Sequence, residues 1–295
     1  MCKITVLMSV YMETNTYLRQ SIDSILNQTF SDFEFLIFDD ATSNENKQLL
    51  QNYAKQDSRI RIIENEINMG LTYNLAQGVN LAKGVYIARM DSDDISIENR
   101  FTIQVQYMDS HPDVALLTTA VRFFGDINTY KRRNIIQSDY LKVTLLFNNT
   151  MPHPTAFMRN SFLKENNLNY NVDIRKSQDF ELWARIAQKG KVAFLRQPLV
   201  NYRIHKGQIS NDTAGEQRKY RDVTRIEELN NLGIILSKTE EKIYLEFCEG
   251  KAGKGIVKYS KLIKRIRKKI IETGQYNQFW LEYMFRLRMM RNLLN

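Results

Sequence analysis

Two runs of aspartate stand out, and one of them has the side chains and spacing to hold a divalent cation. Asp91-Ser92-Asp93-Asp94 sets two carboxylates one residue apart with a third adjoining, and Asp39-Asp40 forms a second pair. At the end of a strand, aspartates spaced this way reach different atoms, one the cation and the other a ribose or a water of the metal shell. Hard oxygen donors suit Mg²⁺ or Mn²⁺, which usually complete their shell with substrate phosphates. Taken alone, Asp-Ser-Asp-Asp also fits a solvated turn or a helix N-cap. Further along lie Ser177-Gln178-Asp179-Phe180-Glu181 and Tyr202-Arg203-Ile204-His205. A single histidine is more often structural than ligating.

The elements that must position these groups follow from hydrophobic periodicity. Ile4 to Val10, Phe35 to Phe38, Ile60 to Ile63 and Val85 to Ala88 read as strands. Between them, Leu18, Ile22, Ile25 and Leu26 share one helical face, Leu49, Leu50 and Tyr53 another, and a third helix runs from about Leu71 to Ala82. This alternation predicts an α/β fold, with a mostly parallel central sheet and helices on both faces. Ligands in such sheets bind at the carboxyl ends of the strands, where both acidic runs fall. From about residue 114 the pattern turns to short strands, Val114 to Thr119 and Val121 to Phe124, as in a mixed sheet. Polar helical sequence follows His205. The expected organisation is therefore a catalytic domain over 1–210, divided into halves 1–110 and 111–210, with a helical C-terminal region over 211–295. Asp94 is a candidate cap for a helix beginning near Ile97.

Composition narrows the function. The net charge of +9 lies in the tail: residues 251–295 carry twelve Lys or Arg against Glu272 and Glu282, leaving the first 250 residues near −1. Two cysteines far apart in the chain support neither a disulfide framework nor a cysteine metal site. Neither a signal peptide nor a membrane span is read, and a cytoplasmic location is expected. Ser9 to Thr16 contains no glycine, which excludes a Rossmann-type dinucleotide site and a P-loop. The basic tail permits nucleic-acid binding, but that reading leaves the acidic strand ends unexplained, so no nucleic acid is expected as a partner.

Several motifs in order carry a family resemblance. Ser9-Val10-Tyr11, Tyr17-Leu18, Ser24-Ile25-Leu26-Asn27-Gln28-Thr29-Phe30 and Phe38-Asp39-Asp40-Ala41-Thr42-Ser43 open it. Asn68-x-Gly70, Asn74, Ala82-x-Gly84, Ala88-Arg89-Met90-Asp91-Ser92-Asp93-Asp94-Ile95, Arg100, Gln104 and His111-Pro112-Asp113 continue it. Together they resemble the inverting family 2 glycosyltransferases of the GT-A fold that build bacterial cell-surface polysaccharides, over about residues 3 to 210. The resemblance implies that Ser9, Val10, Tyr11 and Glu13 line the nucleotide, with Asp40 on its base and Asp91 and Ser92 near its ribose. Asp93 is then expected on Mn²⁺ or Mg²⁺. Where many relatives carry Asn after Tyr11, this chain has Met12-Glu13.

Gln178-Asp179-Phe180-Glu181-Leu182-Trp183 resembles the family's E-D-x-x-L-W segment, with Gln178 in place of glutamate. The resemblance makes Asp179 the general base, which must lie within about 3 Å of the acceptor hydroxyl. Loss of the neighbouring Glu removes a negative charge, so Asp179 should hold its proton less strongly than in relatives. A helix N-cap is the structural reading of the same residue. Tyr202-Arg203-Ile204-His205, with Gln208 and Ser210, resembles the late Y-R-x-H…S segment. It offers His205 to the metal or diphosphate and Arg203 to the departing charge. His153 matches a segment near the acceptor cleft, Trp183 reads as core or cleft wall, and Glu181 as a supporting or solvated residue. The implied donor is a nucleotide sugar, taken as UDP-linked, and the acceptor a glycan, lipid-linked in many similar enzymes. A catalytically inactive nucleotide-sugar or glycan-binding relative would share these motifs.

In the tail, Ile256, Tyr259, Ile263, Ile266 and Ile270 form one helical stripe, with Lys258, Lys261, Lys264, Arg265, Arg267, Lys268 and Lys269 around it. A second segment, Phe279 to Leu294, is rich in large apolar residues. Two readings fit: peripheral attachment to an anionic membrane surface, or packing on the catalytic domain or on a second subunit of a homodimer.

Overall fold

The computed structural model describes residues 2–126, 129–130, 137–205, 214–250 and 259–294. Strand β1 (Ile4–Val10) is apolar at nearly every position because both of its faces are covered. Ile4, Val6, Met8 and Val10 face α1 (Asn15–Leu26), α2 (Asn44–Gln56) and α4 (Arg100–Ser110). Leu7 faces the opposite core, with α3 (Leu71–Leu81) and α7 (Gln178–Lys189). The sheet also contains β2 (Phe33–Asp40), β3 (Ile60–Asn65), β4 (Tyr86–Arg89), β5 (Ile95–Ser96), β6 (Val114–Gly125), β7 (Thr129–Tyr130), β8 (Phe157–Arg159) and β9 (Lys191–Ile204). Its order is β3-β2-β1-β4-β8-β6-β9-β5, with β7 on β6.

The first four strands pair in parallel, and their register brings the functional segments together. Val10 stands opposite Asp39, Asp40 opposite Asn65, and Leu7 opposite Arg89. β8 pairs antiparallel with β4 and β6, whereas β6 and β9 are parallel. The expected α/β fold with helices on both faces is the observed one.

Three local expectations change. Val114 to Phe124 is one strand rather than two, because register shifts around Thr119 and Ala120 let it bend without breaking from β9. Asp94 caps no helix: Ile95–Ser96 is drawn into β5 by β9, and α4 starts at Arg100 with Asn99 as its N-cap residue. Gln208, Ser210 and the boundary drawn near Ser210 lie outside the described residues, as do Ile256 and Lys258.

The third correction concerns the tail. Helices α8 (Ala214–Asn231), α9 (Lys238–Glu249), α10 (Ser260–Glu272) and α11 (Gln278–Leu294) form a third core. It includes Val143 from α5 (Ser138–Thr144), with Leu146 and Phe147 just beyond. Ile263, Ile266 and Ile270 are 2%, 0% and 0% exposed, so this stripe is spent on protein and cannot enter acyl chains. Arg265 pairs with Glu240 at 2.7 Å and Arg267 with Glu282 at 2.9 Å, tying α10 to α9 and α11. Among the described residues of this region, α11 leaves Phe279, Tyr283, Met290, Leu293 and Leu294 exposed, and Val223 and Ile235 are exposed elsewhere. No helix among the described residues is long and apolar enough to cross a membrane.

Candidate active site

Asp40 closes the carboxyl end of β2 and organises the floor beside it. Its Oδ1 accepts from Asn65 Nδ2 at 2.9 Å and from the Met69 amide at 2.8 Å, and its Oδ2 accepts from the Gly70 amide at 2.9 Å. Gly70 has φ +86°, a left-handed conformation that glycine adopts without strain and that aims this amide at the carboxylate. Asn65 continues the chain of bonds to Asn74 Oδ1 at 2.7 Å, and Asn74 Nδ2 donates to Ser9 Oγ at 2.9 Å. The strand ends that carry Ser9, Val10 and Asp40 are thus locked together by side-chain amides. Ala41, just after Asp40, is itself left-handed at φ 57°, a strain that the surrounding bonds must hold.

Across the floor, Tyr11 is exposed, and Glu13 reaches the acidic loop, where its Oε2 lies 3.5 Å from Ser92 Oγ. Burial pushes the Glu13 carboxyl up, and Asp93 adds to this. Carboxylate oxygens of Asp91, Asp93 and Asp94 lie within 4.8 Å of one another. Asp93 Oδ2 is 3.0 Å from His205 Nε2. Asp94 is fully buried; its Oδ1 accepts from the Arg203 amide at 2.8 Å, and its Oδ2 has no hydrogen-bond partner among the described residues. Burial, with Asp91 and Asp93 adding, raises the Asp94 carboxyl well above the usual range, and burial raises Asp91 against the pull of Arg89. Three clustered oxygen donors, a buried oxygen without a partner and an adjacent imidazole fit Mg²⁺ or Mn²⁺.

Arg203 sits behind this loop rather than in front of it. Its Nε donates to the Asp93 carbonyl at 2.7 Å and its Nη2 to Gln20 Oε1 at 2.6 Å, and the guanidinium lies 4.0 Å from the centre of the Tyr17 ring. At 7% exposure it is largely buried.

On the other side of β4, Asp179 is the second residue of α7, so it is not the N-cap. The cap position is Ser177, left-handed at φ 56° and making no side-chain capping bond. Asp179 Oδ2 accepts from Asn149 Nδ2 at 2.6 Å, and Asn149 Oδ1 in turn accepts from the Met151 amide at 2.8 Å. Burial raises the Asp179 carboxyl, outweighing the lowering from the Phe180 amide, Arg89 and Asn149. Glu181 is no solvated residue but a buried partner of Arg185 at 2.6 Å. His153 opens a single 3-10 turn, His153–Thr155, and its Nε2 is 2.9 Å from the Tyr170 hydroxyl. Burial holds its pKa well below the ordinary value, with the Arg89 charge adding. Trp183, 0% exposed, packs edge-on against His153 at 5.8 Å.

With this arrangement established, the sequence matches Glycosyl transferase family 2 over residues 5–167, more than half of the chain. The chain belongs to that family. The glycosyltransferase is 34% identical to the O-antigen biosynthesis glycosyltransferase WbnJ of Escherichia coli over 208 residues, 68% of this chain and 80% of WbnJ. It is also 34% identical to the uncharacterized glycosyltransferase MJ1057 of Methanocaldococcus jannaschii over 206 residues, 68% of this chain and 70% of the relative. Its fold superposes on S. aureus TarS 1–349 in complex with UDP-GlcNAc with a TM-score of 0.62 at 14% identity, covering 98% and 88% of the two chains. The mannosyltransferase PcManGT of Pyrobaculum calidifontis, in complex with GDP-Man and Mn²⁺, gives 0.61 at 12% identity, covering 99% and 87%. These solved structures share the GT-A-like fold with this glycosyltransferase.

Sequence reasoning missed four supporting residues of this glycosyltransferase. Asn149 and Gln20 carry no motif. Asn65 ends a strand as an ordinary polar residue, and Tyr170 lies in a loop. Asn74, Tyr17 and Gly70, all within family motifs, did give a signal.

Proposed function

We propose that this glycosyltransferase transfers a sugar from a nucleoside-diphosphate donor, UDP-linked, to a hydroxyl of a cell-surface glycan, with inversion at the anomeric carbon. The observation that carries the reading is the placement of Asp179. A buried carboxylate with a raised proton affinity, fixed by Asn149, lies close enough to Asp91 of the acidic loop for the two charges to sense each other. WbnJ supports a glycan acceptor, and TarS with UDP-GlcNAc supports a UDP donor.

In this reading Ser9, Val10, Tyr11 and Glu13 line the nucleotide, and the remaining lone pair of Asp40 Oδ2 meets the base. Asp91 and Ser92 stand near the ribose. An Mg²⁺ or Mn²⁺ ion on Asp93, with His205 beside it, would supply positive charge for the diphosphate. Asp179 takes the proton of the acceptor hydroxyl as its oxygen bonds to the anomeric carbon, and the bond to the diphosphate breaks with its electron pair on the phosphate oxygen. Arg203 acts by holding the acidic loop in shape, and His153 and Trp183 by forming the acceptor wall.

The test is a panel of UDP-, GDP- and dTDP-sugars scored for slow donor hydrolysis with Mn²⁺ present. Turnover of a UDP-sugar above the others is the expected result. No turnover of any donor, with UDP still bound, would leave an inactive sugar-binding relative instead.

The same proposal includes attachment to an anionic membrane surface, now through the outer face of α11. Phe279, Tyr283 and Met290 recur there at spacings of four and seven, with Arg286 between them and Lys261, Lys264 and Lys268 exposed on the neighbouring α10. Pairing two copies through this face would set like charges together, whereas anionic headgroups complement it.

A further inference from the structure

Asn149 takes its position from the segment that joins α5 to the turn at His153, and that segment is gripped from two sides. Leu145 and Met151 enter the core shared with α7, whereas Leu146 and Phe147, between them in sequence, enter the third core of the C-terminal helices. The backbone is bonded as well. Just past α5, the Leu146, Phe147 and Asn148 amides still bond back to the Val143 and Thr144 carbonyls. Carbonyls at the end of a helix lose their helical partners and must find others. Here the C-terminal helices supply them: the Phe147 carbonyl accepts from Arg225 Nε of α8 at 2.7 Å, and the Leu146 carbonyl accepts from the Tyr244 hydroxyl of α9 at 3.1 Å.

Both donors are themselves fixed. Arg225 is 1% exposed, and its Nη1 pairs with Asp222 at 2.9 Å and with Glu249 at 2.7 Å. Tyr244 is fully buried, and the Phe147 ring packs edge-on against Phe285 at 5.2 Å. A buried ion pair adds little net stability over apolar side chains of similar size. What this one does supply is a donor aimed at a single carbonyl. That carbonyl lies two residues before Asn149, whose Oδ1 accepts from the Met151 amide at 2.8 Å and whose Nδ2 reaches Asp179 Oδ2 at 2.6 Å. A short run of backbone, bonded at both ends, thus joins α8 and α9 to the carboxylate on α7. We propose that Arg225 and Tyr244 are positioning residues for transfer: by holding the Phe147 and Leu146 carbonyls they set Asn149, and through it the orientation of the Asp179 carboxylate.

The inference rests on the reading of Asp179 as the base. The test uses the full chain and the UDP-sugar that the donor panel selects, with Mn²⁺ present and water standing in for the acceptor hydroxyl. A misplacement of about 1 Å can cost about 10²-fold in rate, so loss of one of two anchors should lower kcat by about tenfold in Arg225→Met and about threefold in Tyr244→Phe. KM for the donor and calorimetric UDP binding should stay at the wild-type values. In an Asn149→Leu background neither change should lower kcat further, because the link through which both act is already cut. Losses that multiply in that background, or a lowered melting midpoint with kcat unmoved, would overturn the proposal and leave the two residues structural. If Arg225→Met does not fold, Tyr244→Phe, which removes one hydroxyl, carries the test. Asp179→Asn separates the two ideas: a wild-type rate in that variant sinks the base reading and this inference with it, whereas a slow Asp179→Asn beside unmoved kcat in Arg225→Met and Tyr244→Phe sinks only the link to the C-terminal helices.

Discussion

Asn149 and Asp179, thirty positions apart, meet through a 2.6 Å hydrogen bond from Nδ2 to Oδ2. Because Asn149 Oδ1 accepts from the Met151 amide, its own side chain cannot turn away, and the Asp179 carboxylate is held in one orientation. Asn149→Leu should therefore lower transfer by about 10- to 100-fold, whereas Asp179→Asn lowers it by about 10² to 10⁴. UDP binding should survive both changes. Single-turnover transfer beside calorimetry checks this, and a wild-type rate in Asp179→Asn would remove the base.

The pH dependence follows from burial. Asp179 must be ionised to accept a proton, and burial raises its affinity for one. Transfer should fall as pH drops, with the acid limb above the ordinary aspartate range near 3.9. The slope belongs to kcat/KM of the free enzyme, and an acid limb at or below the ordinary value would contradict it.

Asp93 is the carboxylate that faces His205, and it stands with Asp91 and Asp94. Asp93→Ala, or EDTA with the unaltered protein, should abolish measurable UDP binding in calorimetry. His205→Ala should weaken it while leaving some binding in excess Mn²⁺, since one ligand of several is lost. Undiminished UDP binding in EDTA would rule out the metal.

The C-terminal helices share a core with Val143, Leu146 and Phe147. Ile266→Ala should cost about 2 to 5 kcal/mol, the range for truncating a buried isoleucine. Truncation after Gly250 should remove the α10 and α11 side of that core, uncover Phe147 where Phe285 packs, and lower the melting midpoint of the catalytic domain as well. An unchanged midpoint in the truncated chain would mean that the third core adds nothing to the rest.

The outer face of α11 should bring the protein down with anionic vesicles, less so at high salt. A triple change, Phe279→Ser, Tyr283→Ser and Met290→Ser, should weaken this without moving the melting midpoint, because all three are exposed. Equal binding to neutral and anionic vesicles would dismiss the electrostatic contribution. A dimer that the triple change splits would assign the face to a second copy.

The parallel half of the sheet was legible from sequence because strand and helix periods are local properties. Ile4 to Val10 buries both faces wherever it sits, and a parallel sheet puts Asp39-Asp40 and Asp91-Ser92-Asp93-Asp94 at its carboxyl edge. The identities of the acidic residues, Asp179 and His205 came through ordered motifs. Their partners did not, since nothing in residues 145 to 150 indicates that Asn149 will meet α7, or in Arg203 that it will lie behind the loop. The isoleucine stripe of α10 shows the limit: periodicity announced that one face would be covered, and membrane or protein would have satisfied it equally. Only the tertiary structure decided, by bringing Val143, Phe147 and Phe285 into the core that Ile263, Ile266 and Ile270 share. Burial depends on what arrives from distant parts of the chain, and so do the raised proton affinities of Asp91, Asp94 and Asp179.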